Sequence, residues 1–157
     1  MRKHLKLLIV IADGEQARFV RPSETHALHS EAHLNAETAH ERTSDLGVDH
    51  PGAAFHSGSS AHHALAPRHD LHDQKTLKFA HLVAHRVNEL AAQGAFDDLV
   101  IAAPAHSLAA IREKLNVDTE ARVIGTLAKD LIKVPDEALS EHFKAWVRPV
   151  HRADLLA

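Results

Sequence analysis

The chain predicts an α/β fold: a single domain with a mixed sheet, an N-terminal antiparallel meander followed by two strands that alternate with helices. Three observations carry this. Phe96-Asp-Asp-Leu-Val-Ile-Ala-Ala-Pro104 is an apolar run of strand length stopped by proline and followed at once by an amphipathic run from His106 to Leu115. Leu5 to Ala12 and Gln16 to Arg21 flank Asp13-Gly14, whose residues accept the positive φ angles of a tight hairpin turn. The strand and helix logic then repeats from Arg122 to Trp146.

The first strand follows the basic start Met1-Arg-Lys-His, but its apolar run is cut at Asp13-Gly14, so it reads as a strand and not as a signal peptide. From His26 to Leu34 two periods compete: His26, His29 and His33 fit a helical face, while Leu28, Ser30, Ala32 and Leu34 alternate against His29, Glu31 and His33. A meander requires the alternation, which predicts a third strand over about 26–34 with the small and apolar set facing the core. Ala36 to Asp45 has the composition of a short helix. From Gly47 to Asp73, Gly47, Pro51, Gly52, Gly58, Ser59, Ser60 and Pro67 leave no period, which predicts a long irregular loop over about 46–73. Loops of this length tend to carry function.

Asp73 is the expected N-cap of a long helix that ends at Gly94, with Phe79, Val83, Val87 and Leu90 on one arc and His81, His85 and Asn88 on the other. A strand over Leu99–Ala103, a helix over His106–Leu115 and a strand over Ala121–Leu127 follow. A last helix is expected from Pro135 to about Val147, with proline in its first turn and Asp136 and Glu137 complementing its dipole. Phe143 and Trp146 read as core contacts or as contacts of a homodimer. Arg86 and Arg112 are expected to pair with Asp97, Asp98 or Asp130.

At 157 residues the chain has the length of one ordinary domain. It contains no cysteine, which excludes disulfides, thiol catalysis and cysteine-bound zinc. No apolar run approaches the roughly 20 residues needed to span a bilayer, so the expectation is a cytoplasmic protein with no membrane contact. Formal charge is −3 with histidine neutral, and the sixteen histidines bring the net charge near zero around neutrality. Bulk basicity of the kind that drives nonspecific nucleic-acid binding is absent.

Ten of the sixteen histidines lie between His26 and His72, which raises a metal hypothesis. His29, Glu31 and His33 would project from one strand face and supply nitrogen and oxygen ligands for zinc or a similar divalent metal. His81 and His85 have the i, i+4 spacing of a helical zinc pair, but His-Leu-Val-Ala-His lacks the glutamate of a metalloprotease helix. No Gly-X-Ser-X-Gly elbow and no phosphate loop is present. No cofactor is required by any motif. Around the long loop and the start of the long helix, Arg42, His62, His63, Arg68, His69 and Lys75 form a mildly basic surface diluted by acidic neighbours.

Ile11-Ala-Asp-Gly-Glu-Gln-Ala-Arg-Phe19, the Phe96 to Pro104 block with Leu108, Arg112 and Leu115, and Lys129-Asp-Leu131 ahead of Pro135 closely resemble bacterial host-attachment proteins, the family described as proteins required for attachment to host cells. That family in turn resembles the middle domain of archaeal and eukaryotic peptide-chain release factors and of Pelota. The resemblance implies the same mixed α/β architecture and a contact with ribosome or tRNA. The residues it points to are those of the loop before the long helix: Gly58, Ser59, Ser60, His62 and His63, with Arg68 and Lys75 beside them. Release factors carry a Gly-Gly-Gln tip there, and this chain has none, so peptidyl-tRNA hydrolysis does not carry over. Three functions stay open on sequence: a non-catalytic module binding ribosome, RNA or a protein partner; a metal-dependent hydrolase built on the loop histidines; and a pH-responsive interaction module.

Overall fold

The computed structural model describes residues 5–37 and 68–147, with residues 68–72 as backbone. Within it a five-stranded sheet has the order β3-β2-β1-β4-β5. Strands β1 (Leu7–Ala12), β2 (Gln16–Pro22) and β3 (Leu28–Asn35) form the antiparallel meander. Helix α1 (Arg68–Ala92) leads to β4 (Asp98–Ala102), which lies parallel to β1. Helices α2 (Ala105–Glu113) and α3 (Val117–Glu120) then lead to β5 (Val123–Leu127), parallel to β4.

Because side chains alternate along a strand, each strand feeds two cores. Leu8, Val10, Ala17, Phe19, Leu99 and Ile101 lie under Phe79, Val83 and Val87 of α1 and Ile111 of α2. On the opposite face Ile9, Ile11, Val20, Leu28, Val100 and Ala102 lie under Leu131, Ile132, Leu139, Phe143 and Val147. Double coverage explains why β1 and β4 read as continuous apolar runs.

The C-terminal segment covers the second face as a strap that travels out and back. From the end of β5 it crosses to β2 and β3, where Leu131 and Val134 offer carbonyls to Arg18 and Asp136 meets Ser30, and it returns to β5 with Trp146 over Gly125. The continuous helix expected over 135–147 is not formed. In its place are two 3₁₀ turns, Asp136–Ala138 and Ser140–His142. The i, i+4, i+8 set Leu139, Phe143 and Val147 is buried as a helical reading requires, but the residues ahead of it are pinned to Arg18 and Ser30, so the strap follows the sheet in tight turns.

Other boundaries move for local reasons. Helix α1 starts at Arg68, so Asp73 lies inside it and is not its N-cap, and residues 68–73 of the expected loop are helical. No glycine or proline interrupts the sequence between Pro67 and Gly94. Its stop is as expected: Gly94 has φ 70°, the Ala95 N–H donates to Leu90 O at 2.9 Å and the Gly94 N–H to Ala91 O at 3.0 Å, a Schellman end. The one-turn α3 is a further element, capped by Asn116, whose side-chain oxygen accepts from the Thr119 N–H at 2.8 Å. It uses Ala121 and Arg122 to close its turn, which delays β5 to Val123. The short helix expected over 36–45 and the loop over 46–67 lie outside the described residues, apart from the helical turn at 36–37.

The most consequential correction is in β3. Phe19 pairs with Ala32 and Val20 with Ser30, leaving Glu31 as the extra residue of a β-bulge. Alternation changes phase there. Leu28 joins the strap-side core whereas Leu34 packs toward the helices, so the four small and apolar residues do not share one face.

Candidate functional site

A concavity opens where the β1–β2 turn, the end of β3 and the first half of α1 meet. Its turn is built by Asp13, whose Oδ1 accepts from the Glu15 N–H at 2.8 Å and the Gln16 N–H at 2.7 Å, while its own N–H donates to Gln16 O at 2.9 Å. The Ala36 N–H donates to Glu15 O at 2.7 Å, tying the end of β3 to this turn. Gly14 faces the helix, and a Cβ there would stand 3.0 Å from Thr76 Oγ1. Absence of a side chain lets the turn sit close against α1.

The resulting groove has a volume of about 550 Å³ and is lined by Gln16, His33, Asn35, Glu37, Lys75 and Thr76 among others. It continues along α1 into a more apolar hollow of about 360 Å³, formed by Ala36, Glu37, Lys75, Lys78, Phe79 and Leu82. On the strap side a shallow hollow of about 400 Å³ shares Gln16 and His33 with the main groove. The groove therefore pairs a polar end with an apolar floor, and its charged rim mixes Lys75 and Lys78 with Glu15 and Glu37.

Lys75 is the residue from the expected RNA or partner set that the structure places here. Arg68 opens α1. Gly58, Ser59, Ser60, His62 and His63 lie outside the described residues.

The expected metal ligands are distributed differently from the sequence reading. His29 pairs across the sheet with Arg21 and His33 with Arg18, three positions apart on β2, so the bulge places the two histidines on opposite faces. Glu31 is engaged by Arg21 Nε at 2.9 Å. On α1, His85 is exposed, with its Nε2 3.5 Å from Glu89 Oε1. His81 is half-buried, its Nε2 shielded from solvent with no hydrogen-bond partner among the described residues. Among the described residues no group of three or more His, Asp or Glu side chains comes together in a way that could hold a metal ion.

Arg86 and Arg112 also differ from expectation. Arg86 Nη1 lies 4.0 Å from Glu89 Oε2, and Arg112 Nη2 donates to Glu120 Oε1 at 2.5 Å. Phe143 and Trp146 pack against each other with ring centroids 6.3 Å apart, and Phe143 is fully buried in the strap-side core.

A polar centre that sequence reading did not single out lies beside the groove. Arg18 is 7% exposed. Its Nη1 donates to the carbonyls of Leu131 at 3.3 Å, Ile132 at 3.1 Å and Val134 at 2.5 Å; Nε donates to Ser30 Oγ at 3.1 Å and Nη2 to Asp136 Oδ1 at 2.5 Å. Asp136 Oδ1 accepts from Ser30 Oγ at 2.7 Å and Oδ2 from the Ser30 N–H at 2.9 Å. Burial pushes the Asp136 carboxyl up, but the hydrogen bonds from Ser30 and Arg18, together with the guanidinium charge, outweigh it and hold the group below its ordinary value. The available sequence signal was an arginine in the apolar run Ala17-Arg-Phe-Val20, a position that a sheet covered on both faces must bury.

None of the curated proteins compared with the chain matches it. Among solved structures it is similar to an archaeal translation termination factor, aRF1, at 14% sequence identity and a TM-score of 0.52, over 88% of this chain and 33% of that one. The two share a fold, and the chain spans about a third of the factor's length. The family model described as "Protein required for attachment to host cells" matches residues 8–143, a span that includes the β1–β2 turn, the groove and the Arg18 to Asp136 network, and the chain belongs to that family.

Proposed function

We propose that the chain is a non-catalytic binding module that contacts the ribosome or its RNA through the groove at the root of α1. The observation that carries this reading is the fold shared over 88% of the chain with an archaeal translation termination factor. Two features of the groove support it. Lys75 and Lys78 stand on one rim over a floor that includes Phe79 and Leu82, giving cations beside apolar surface. The groove also adjoins the start of α1, the helix that follows the Gly58 to His63 segment implicated by family resemblance.

Co-sedimentation of tag-free protein with purified ribosomes, over a series of salt concentrations, tests the reading. Binding that weakens steeply with salt is expected, and the Lys75→Glu/Lys78→Glu variant should bind more weakly with a salt slope reduced by about 1 to 2. Equal sedimentation of wild type and variant, or none above a protein-only control, would overturn it.

A further inference from the structure

The Ser30 N–H makes its hydrogen bond to a side chain from the strap, Asp136 Oδ2 at 2.9 Å, although Ser30 belongs to a strand. That strand is β3, at one end of the sheet order. An edge strand presents backbone groups on which another strand can pair, and folded proteins block them with bulges, charges or covering segments. Here the Asp136 carboxylate accepts from a backbone N–H of that edge strand, and the bulge at Glu31 follows immediately. The strap treats the other edge in a related way: β5 carries a register shift opposite Leu99/Val100, and Trp146 lies over Gly125.

We propose that Asp136 is an edge guard, whose carboxylate closes β3 at Ser30 against antiparallel pairing with β3 of a second copy of the chain. The geometry suits this role because the carboxylate is held from three directions. Arg18 Nη2 and Ser30 Oγ fix Oδ1, which aims Oδ2 at the Ser30 N–H, and Arg18 is itself anchored by the strap carbonyls of Leu131, Ile132 and Val134. Attachment of the strap and protection of the edge thus depend on one cluster. The inference is independent of ribosome binding.

The test is sedimentation velocity across a hundredfold concentration range on folded wild type, Asp136→Asn, Asp136→Ala and Asp136→Ser. Asparagine has a single acceptor oxygen, which Arg18 Nη2 and Ser30 Oγ claim, leaving its NH2 opposite the Ser30 N–H, so Asp136→Asn should also gain self-association. Alanine and serine cannot reach the Ser30 N–H, and these variants should self-associate at least tenfold more strongly. Adding Ser30→Pro, which deletes the N–H at an edge position, should abolish the gain. If Asp136→Ala fails to fold, Asp136→Ser decides. A folded Ala or Ser variant that stays at the wild-type association state, or a gain that persists with Ser30→Pro, would overturn the proposal.

Discussion

Arg18 and Asp136, 118 residues apart in the chain, meet at 2.5 Å and hold the C-terminal strap to the meander. The guanidinium also donates to three strap carbonyls, and its removal takes that donor from Ile132 O and Val134 O, while Leu131 O keeps the Val134 N–H at 3.0 Å. We expect Arg18→Met, which keeps much of the side-chain volume, to lose about 1 to 3 kcal/mol of stability in urea unfolding, since the carboxylate left behind is partly exposed and keeps its bonds from Ser30. Arg18→Lys should recover only part of it, because an ammonium cannot reproduce the planar fork that serves Ser30, the carbonyls and Asp136 together.

The same cluster makes stability depend on pH in a defined direction. Since the Asp136 carboxyl is held below its ordinary value of 3.8 in the folded chain, it favours folding above that value. The contribution disappears as pH falls through the unfolded and then the folded value. Urea midpoints measured from neutrality to about pH 3 should therefore fall more steeply at the acid end for wild type than for Asp136→Asn.

At the other end of the strap, a Cβ on Gly125 would stand 2.2 Å from Trp146 Cε2. Gly125→Ala must displace the indole and should cost about 1 to 3 kcal/mol. The chain has one tryptophan, so its fluorescence reports this directly: the variant's native emission should shift to the red relative to wild type.

In the turn between β2 and β3, His26 has φ 68°, the left-handed region, and its N–H donates to Ser23 O at 2.9 Å. His26→Gly should therefore leave stability unchanged or raise it, whereas His26→Val should lower it by about 1 to 2 kcal/mol. Thermal unfolding of the pair separates backbone conformation from loss of the imidazole, since both variants lose the ring.

What the sequence determined by itself was the class of fold and the placement of its main elements. Continuous apolar runs in β1 and β4 and the Gly94 stop are local signals, each written in adjacent residues and each met in the structure. The hairpin at Asp13-Gly14 forms as well, but neither residue takes the positive φ expected of it: the Asp13 side chain shapes the turn by accepting from the Glu15 and Gln16 N–H groups. Family resemblance was legible in the same blocks and is matched over residues 8–143. Tertiary structure decided the rest. Whether residues 135–147 form an α-helix depended on Arg18, far away in the chain, pinning Val134 and Asp136 to the sheet. Whether His29 and His33 share a face depended on the bulge opposite Phe19 and Val20, since one extra residue inverts an alternation of period two. Lys75 could be named from the sequence, but the groove it lines forms only where the β1–β2 turn, the end of β3 and α1 come together, with Gly14 close against Thr76. Local sequence specifies backbone preference and which faces are apolar; the position of a polar group relative to a distant strand is set only when the whole sheet is assembled.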